Sequence, residues 1–200
     1  MIYTNIFISS NIDLCHKSNK TMKTKIQEWL QRIDQITAAF NSYFGQMTNE
    51  QLNSKPNAAT WSIAQNIDHL MVINNSYLPA IEEIRTGKQK LGRFSKLGFM
   101  TRFFGNFILK SVGPSRKRKM KTFPVWEPSK SDVEGDILAK FAEHQENLKK
   151  LIASSEDLLS KGTLIASPAN KNIVYKLEVA FEIIVMHEQR HLAQAKEIQI

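Results

Sequence analysis

The sequence predicts an all-α protein, a four-helix bundle with long crossover connections and a short extra helix between the second and third helices. Three observations carry this expectation. Four long segments repeat apolar residues at three- and four-residue spacing, which lines up one face of a helix. The eight glycines and six prolines are few and fall mostly between those segments, unlike the regular turn signals of a sandwich or barrel. A chain of 200 residues, 42% of them apolar, fits one domain with a real core.

The first helix is expected over about 22–46, where Ile26, Trp29, Leu30, Ile33, Ile36, Thr37 and Phe40 recur and Gly45 suits the stop. The second is expected over about 62–85. Ser62 with Gln65 three residues on makes a capping box, and Ile63, Ile67, Leu70, Asn74, Tyr77, Ile81 and Ile84 fall on one stripe. The third, about 131–154, takes Ser131 and Asp132 as N-caps and Ile137, Leu138, Phe141, Leu148, Leu151 and Ile152 as its apolar face; Gly135 weakens its first turns. The fourth, about 173–198, turns Leu177, Ala180, Phe181, Ile184, Val185, Leu192 and Ala195 inward. Val174, Val179, Ile183 and Met186 make it apolar on other sides too, as in a buried helix.

The connections are long: 46–61, then about 45 residues between helices two and three, and about 18 between three and four. That spacing excludes a simple up-down bundle. Phe94, Leu97, Met100, Phe103, Phe104, Phe107 and Ile108 recur within the longest connection and predict a short helix near 93–110.

The domain is expected to run 22–200. Residues 1–21 lack clear periodicity and read as a poorly ordered extension or a short strand, with Met22 a candidate translation start. They lack the charged n-region and apolar h-region of a signal peptide. No apolar run approaches the ~20 residues of a membrane span. A single cysteine, Cys15, excludes an intramolecular disulfide and points to a reducing, cytoplasmic setting.

Three of the five histidines carry the chemistry. His187 and His191 lie four apart, on one face of the last helix and one turn from each other. They point to the same side as Leu177, Ala180 and Ile184, and a buried neutral imidazole needs a partner for its polar atoms. One metal ion would satisfy both. HEQRH matches the H-E-x-x-H motif of zinc proteases, but that chemistry needs a third ligand downstream. Only nine residues follow His191, none of them His, and the one acid among them, Glu197, is too close on a continuing helix. No strand pattern offers a substrate-aligning edge. The third ligand is therefore sought upstream, and His69, in WSIAQNIDHL, is the best candidate. His144, between Glu143 and Gln145, reads as part of a solvated face, and His16 as irrelevant.

The polar loop into TWSIAQNIDHL, the joining segment ending in FPVWEPS and the closing MHEQRHLAQ together resemble the DinB/YfiT-like proteins over roughly 22–198. The resemblance implies a four-helix bundle with a long crossover. It implies Ni²⁺ or Zn²⁺ held by one histidine of the second helix and two of the fourth, matching His69, His187 and His191. It also implies, for some relatives, metal-dependent transfer to low-molecular-weight thiols such as bacillithiol or mycothiol.

Three neutral histidines leave a coordination position open, as in catalytic zinc sites. Such an ion can activate a water or hold a thiol as thiolate, so a thiol S-transferase and a hydrolase both fit. Glu188 lies about 100° from His187 and about 60° from His191 on the helix, and is the candidate general base, or else a partner of a ligand. Asn74 and Gln194 are candidate polar groups near the pocket. A non-catalytic binding or stress-response protein stabilised by its metal is the alternative.

The net charge of +8 is concentrated: residues 86–126 hold eleven Lys or Arg and no acid, leaving the rest at 8 − 11 = −3. Arg116, Lys117 and Arg118 are candidate contacts for an anionic ligand, such as the carboxylates of a thiol cofactor. A solvated loop, adsorption to an anionic membrane and a homodimer contact are the other readings of this segment. Nucleic acid is not favoured, because the cluster is short and no binding module surrounds it.

Overall fold

A computed structural model describes residues 4–92, 98–113, 122–128, 132–133 and 135–198, with side chains from residue 20 onward. In chain order the elements are α1 (Thr4–Phe44), α2 (Asn49–Asn53), α3 (Ile63–Ser76), α4 (Leu78–Arg85), α5 (Gly98–Val112), α6 (Ile137–Ala153), α7 (Glu156–Ser160), a hairpin of β1 (Leu164–Ser167) and β2 (Asn170–Lys176), and α8 (Leu177–Lys196). The fold is mostly helical, with one small antiparallel sheet. Among the described residues no helix is long and apolar enough to cross a membrane.

The apolar stripes do what their spacing implies. α1 packs on α6 and α8, and α3 packs on the same two helices. Ile26, Trp29, Ile33 and Phe40 from α1 thus meet Ile63, Ile67 and Leu70 from α3 and Phe141 and Phe181 from α6 and α8 in one core. Edge-on rings join the helices, Trp29 to Phe181 at 5.8 Å and Phe40 to Phe141 at 5.0 Å between centroids.

Four boundaries differ from expectation, each for a local reason. α1 starts at Thr4 rather than near residue 22, and residues 4–21 contain no Gly or Pro to stop it. The second helix is two: Pro79, in the first turn of α4, has no N–H to give and its ring crowds the carbonyl four residues back, so the run breaks at Tyr77. α6 begins at Ile137, not 131, because Gly135 adopts φ 75°, outside the helical region. Asp132 therefore lies outside the helix, while Ser131 is not among the described residues. The fourth helix begins at Leu177, since Asn170–Lys176 forms β2.

That hairpin is a strand pair where the sequence showed no strand pattern. Ile165 pairs with Tyr175 and Ala166 with Val174, and the register shifts after Ala166. Its buried Tyr175 hydroxyl lies 2.9 Å from that of Tyr77, pinning the hairpin to the α3–α4 break. The first loop also holds a helical turn, α2, capped by Thr48 and Gln51 in the same box as Ser62 and Gln65.

A polar seam fixes α1 against α8. Glu182 accepts from Trp29 Nε1 at 2.7 Å and from Arg32 at 2.8 Å, and Arg32 also reaches Gln189 at 2.9 Å. The short helix expected in the longest connection is α5, while Phe94 and Leu97 lie outside the described residues. α5 packs on β2 and α8. A Cβ at Gly105 would sit 3.2 Å from Val179 Cγ1 and 3.6 Å from Tyr175 Cβ, so any larger side chain there would press on α8 and β2. At its far end Arg190 donates to the Ser111 carbonyl at 2.8 Å.

Gly105→Leu should therefore lift α5 off β2 and α8, costing about 1–3 kcal/mol. Thermal denaturation gives the cost, and hydrogen exchange should quicken over 98–112 while α1 and α6 stay protected; unchanged exchange in α5 would contradict this packing.

Candidate metal centre

The capping box places the first candidate ligand. Ser62 Oγ accepts from Gln65 N and Gln65 Oε1 accepts from Ser62 N, which starts α3 at a fixed point. His69 then falls two turns in, on the buried side, only 2% exposed. His187 and His191 follow one another by one turn of α8, which packs directly on α3. One nitrogen from each of the three rings lies within 4.8 Å of the others. The structure thus brings together all three histidines expected to hold a metal, including His69, which spacing alone left open.

Hydrogen bonds fix which nitrogen is free. Asn66 donates its amide to the Ser62 carbonyl at 2.8 Å, which turns its Oδ1 toward His191. An amide oxygen only accepts, so His191 donates from Nδ1, at 2.7 Å, and keeps its lone pair on Nε2. His69 Nδ1 likewise donates to the carbonyl of Trp126, in a 3-10 turn over Pro124–Trp126. Trp126 is held in turn by its indole N–H, which donates to Ser76 Oγ at 3.1 Å. His187 Nε2 lies 3.1 Å from His191 Nε2. His187 Nδ1 is buried with no hydrogen-bond partner among the described residues.

These donors suit a divalent first-row ion. Three imidazole nitrogens are borderline ligands of the kind zinc and nickel accept. Two of the rings already carry the N–H to oxygen bond that orients histidine ligands. Without a cation, two facing Nε2 atoms have one proton at most to share between them.

Burial keeps the imidazoles neutral. It is the largest influence on all three, lowering His69 to about 4, His187 to about 3 and His191 well below its ordinary value; the Trp126 carbonyl pulls His69 partly back up. The ring of Trp61 covers one side, 4.6 Å from His69 and nearly parallel to His191 at 6.0 Å.

Glu188 is fully buried and stands outside the three-nitrogen group. Its Oε1 accepts from Asn74 at 2.7 Å and its Oε2 from Gln145 at 2.8 Å, tying α8 to α3 and α6. Burial raises its carboxyl to about 7 against the pull of those two donors. Asn74 also approaches His144 Nε2 at 3.2 Å. His144 is therefore not on a solvated face: it is half-buried, and burial lowers it to about 4. Gln194 is half-buried, and Arg116, Lys117 and Arg118 lie outside the described residues. Sequence reasoning missed Asn66, Trp61 and Trp126. Asn66 had a visible signal, since it stands one turn before His69 and four after the N-cap.

Two outcomes follow. Among the described residues Asn74 Oδ1 and Gln145 Oε1 are buried without partners, so an amide at 188 can be received by rotating either one. Glu188→Gln should cost about 1 kcal/mol or less, and Glu188→Ala about 2–4 kcal/mol, because two buried donors lose their acceptor and a cavity opens. Equal losses in chemical denaturation would refute this account. The second concerns pH. Unfolded imidazoles take protons below about 6.5, while folded His69, His144, His187 and His191 resist until far lower, so acid favours the unfolded chain. Glu188 opposes this between 4.5 and about 7, one group against four. The melting temperature of metal-free protein should fall as pH drops from 6.5 toward 4; a flat or rising profile would show these imidazoles to be protonated in the folded state.

Neither a curated protein nor a solved structure matches the chain. Residues 32–195, which carry all three histidines, match the family model of the DinB superfamily, whose members are known for metal binding, and this chain belongs to that superfamily.

Proposed function

We propose that this chain is a divalent-metal protein in which His69, His187 and His191 hold one ion, Zn²⁺ or Ni²⁺, with a further position open to a small molecule. The observation that carries the reading is the convergence of three neutral imidazoles within 4.8 Å, two with their second nitrogen committed to an oxygen. In this reading α1, α3 with α4, α6 and α8 form the four-helix bundle of the family and α5 belongs to its long crossover.

When bound, such an ion supplies Lewis acidity at its open position. The chain's own residues do the rest. The Trp126 carbonyl and Asn66 hold two ligand tautomers, and the Trp61 ring keeps water from one side. Glu188, raised to about 7, is the nearby acid able to exchange a proton at neutral pH, and does so by releasing Asn74 or Gln145. The reaction class we favour is transfer to or from a low-molecular-weight thiol, with hydrolysis of a small molecule next, in the cytoplasm. A non-catalytic, metal-stabilised binding protein is the competing outcome.

Elemental analysis of untagged protein should find close to one Zn or Ni per chain and little in His187→Ala. Metal-free wild type after exposure to both ions would end this proposal. Given a metal, turnover of a thiol with an electrophilic acceptor separates the enzyme from the binding protein.

A further inference from the structure

Among the described residues, nothing covers the outward face of α5. Phe99, Phe103 and Phe107 are 69%, 61% and 58% exposed. Their four-residue spacing makes one aromatic stripe, and the rings of Phe103 and Phe107 stack at 6.4 Å. Arg102, Asn106 and Lys110 form the next exposed row beside it. The opposite face, with Gly105, Ile108, Leu109 and Val112, packs inward. Three phenylalanines held out in water on a folded helix mark an interaction surface rather than a packing remnant.

Charge selects the partner. Residues 86–126 contain eleven Lys or Arg and no Asp or Glu. A second copy docking by a two-fold axis would bring like-charged segments together with no acid of their own to pair. An anionic lipid surface meets both features at once: phosphates attract the basic row, and the boundary between headgroups and acyl chains accepts the rings. At about 22 Å, fifteen helical residues are too short to cross a bilayer and suit lying in its plane.

We propose that α5 docks this protein on an anionic lipid surface, with Phe99, Phe103 and Phe107 entering the boundary layer and Arg102 and Lys110 meeting lipid phosphates. None of the ring contacts of Phe103 and Phe107 involves a histidine, and the proposal does not rest on which reaction the histidines support. Co-sedimentation of the full chain with phosphatidylglycerol-containing vesicles and with pure phosphatidylcholine vesicles tests it. Binding should favour the anionic vesicles by about tenfold or more and weaken as salt rises from about 0.05 to 0.5 M. Phe99→Ser with Phe103→Ser and Phe107→Ser should lose it, and Arg102→Glu with Lys110→Glu should weaken it about tenfold, each variant keeping the helical circular dichroism of the parent. Phe103→Trp reads the docking without removing the stripe: its emission should shift to the blue on anionic vesicles. Equal binding to both lipids, no emission shift, or a blue shift accompanied by a doubled mass in vesicle-free buffer would overturn the proposal, the last in favour of a second copy.

Discussion

Burying three uncharged imidazoles beside one another constrains nearly every other element. His69 and His191 are buried and His187 half-buried, so most of their ring nitrogens must be answered by the fold; His187 Nδ1 is the one left without a partner among the described residues. The Ser62 cap sets the phase of α3, Asn66 transmits it to His191, and the packing of α3 on α8 sets the distance between His69 and the pair. A slip of one residue in either helix would rotate a ligand by about 100° out of the cluster. The polar seam from Lys25, Trp29 and Arg32 to Glu178 and Glu182 opposes such slippage along α8. Glu188 does the same from the inner side, where its carboxylate joins three helices through two amides.

What the sequence made legible was whatever depends on local periodicity. The stripes of α1, α3 and α8 face the core as read, and the HEQRH spacing placed His187 and His191 together because helical arithmetic needs nothing else. His69 needed the family resemblance, since its approach to α8 is a tertiary event. The misplaced start of α8 has its cause in the pattern itself. Ile173, Val174, Leu177, Ala180 and Phe181 continue a helical spacing across the strand–helix junction, so periodicity alone runs the helix backward through β2. His144 was misread from its polar neighbours, yet Gln145 beside it is itself 1% exposed because it serves Glu188. Polar residues that satisfy buried polar residues look, in sequence, like a wetted surface.

α5 carries two apolar faces of opposite purpose. Its inner face relies on a missing side chain, Gly105, to come close to β2 and α8, and its outer face relies on three large ones. The tie from Arg190 to Ser111 joins this helix to the very turn of α8 that lies between His187 and His191. The basic crossover is thus anchored at one end by the segment that bears the site.

The Trp126 carbonyl gives the crossover a second hold on the site. It is a backbone group, so no substitution at position 126 short of altering the chain's path removes it, and no comparison of side chains would flag it. Changes in the length of the connection would reach the three-histidine cluster all the same, by moving one oxygen and with it the electron density of the His69 ring. In this chain a longer or shorter connection would thus alter how strongly the His69 ring can donate, with the three histidines themselves unchanged.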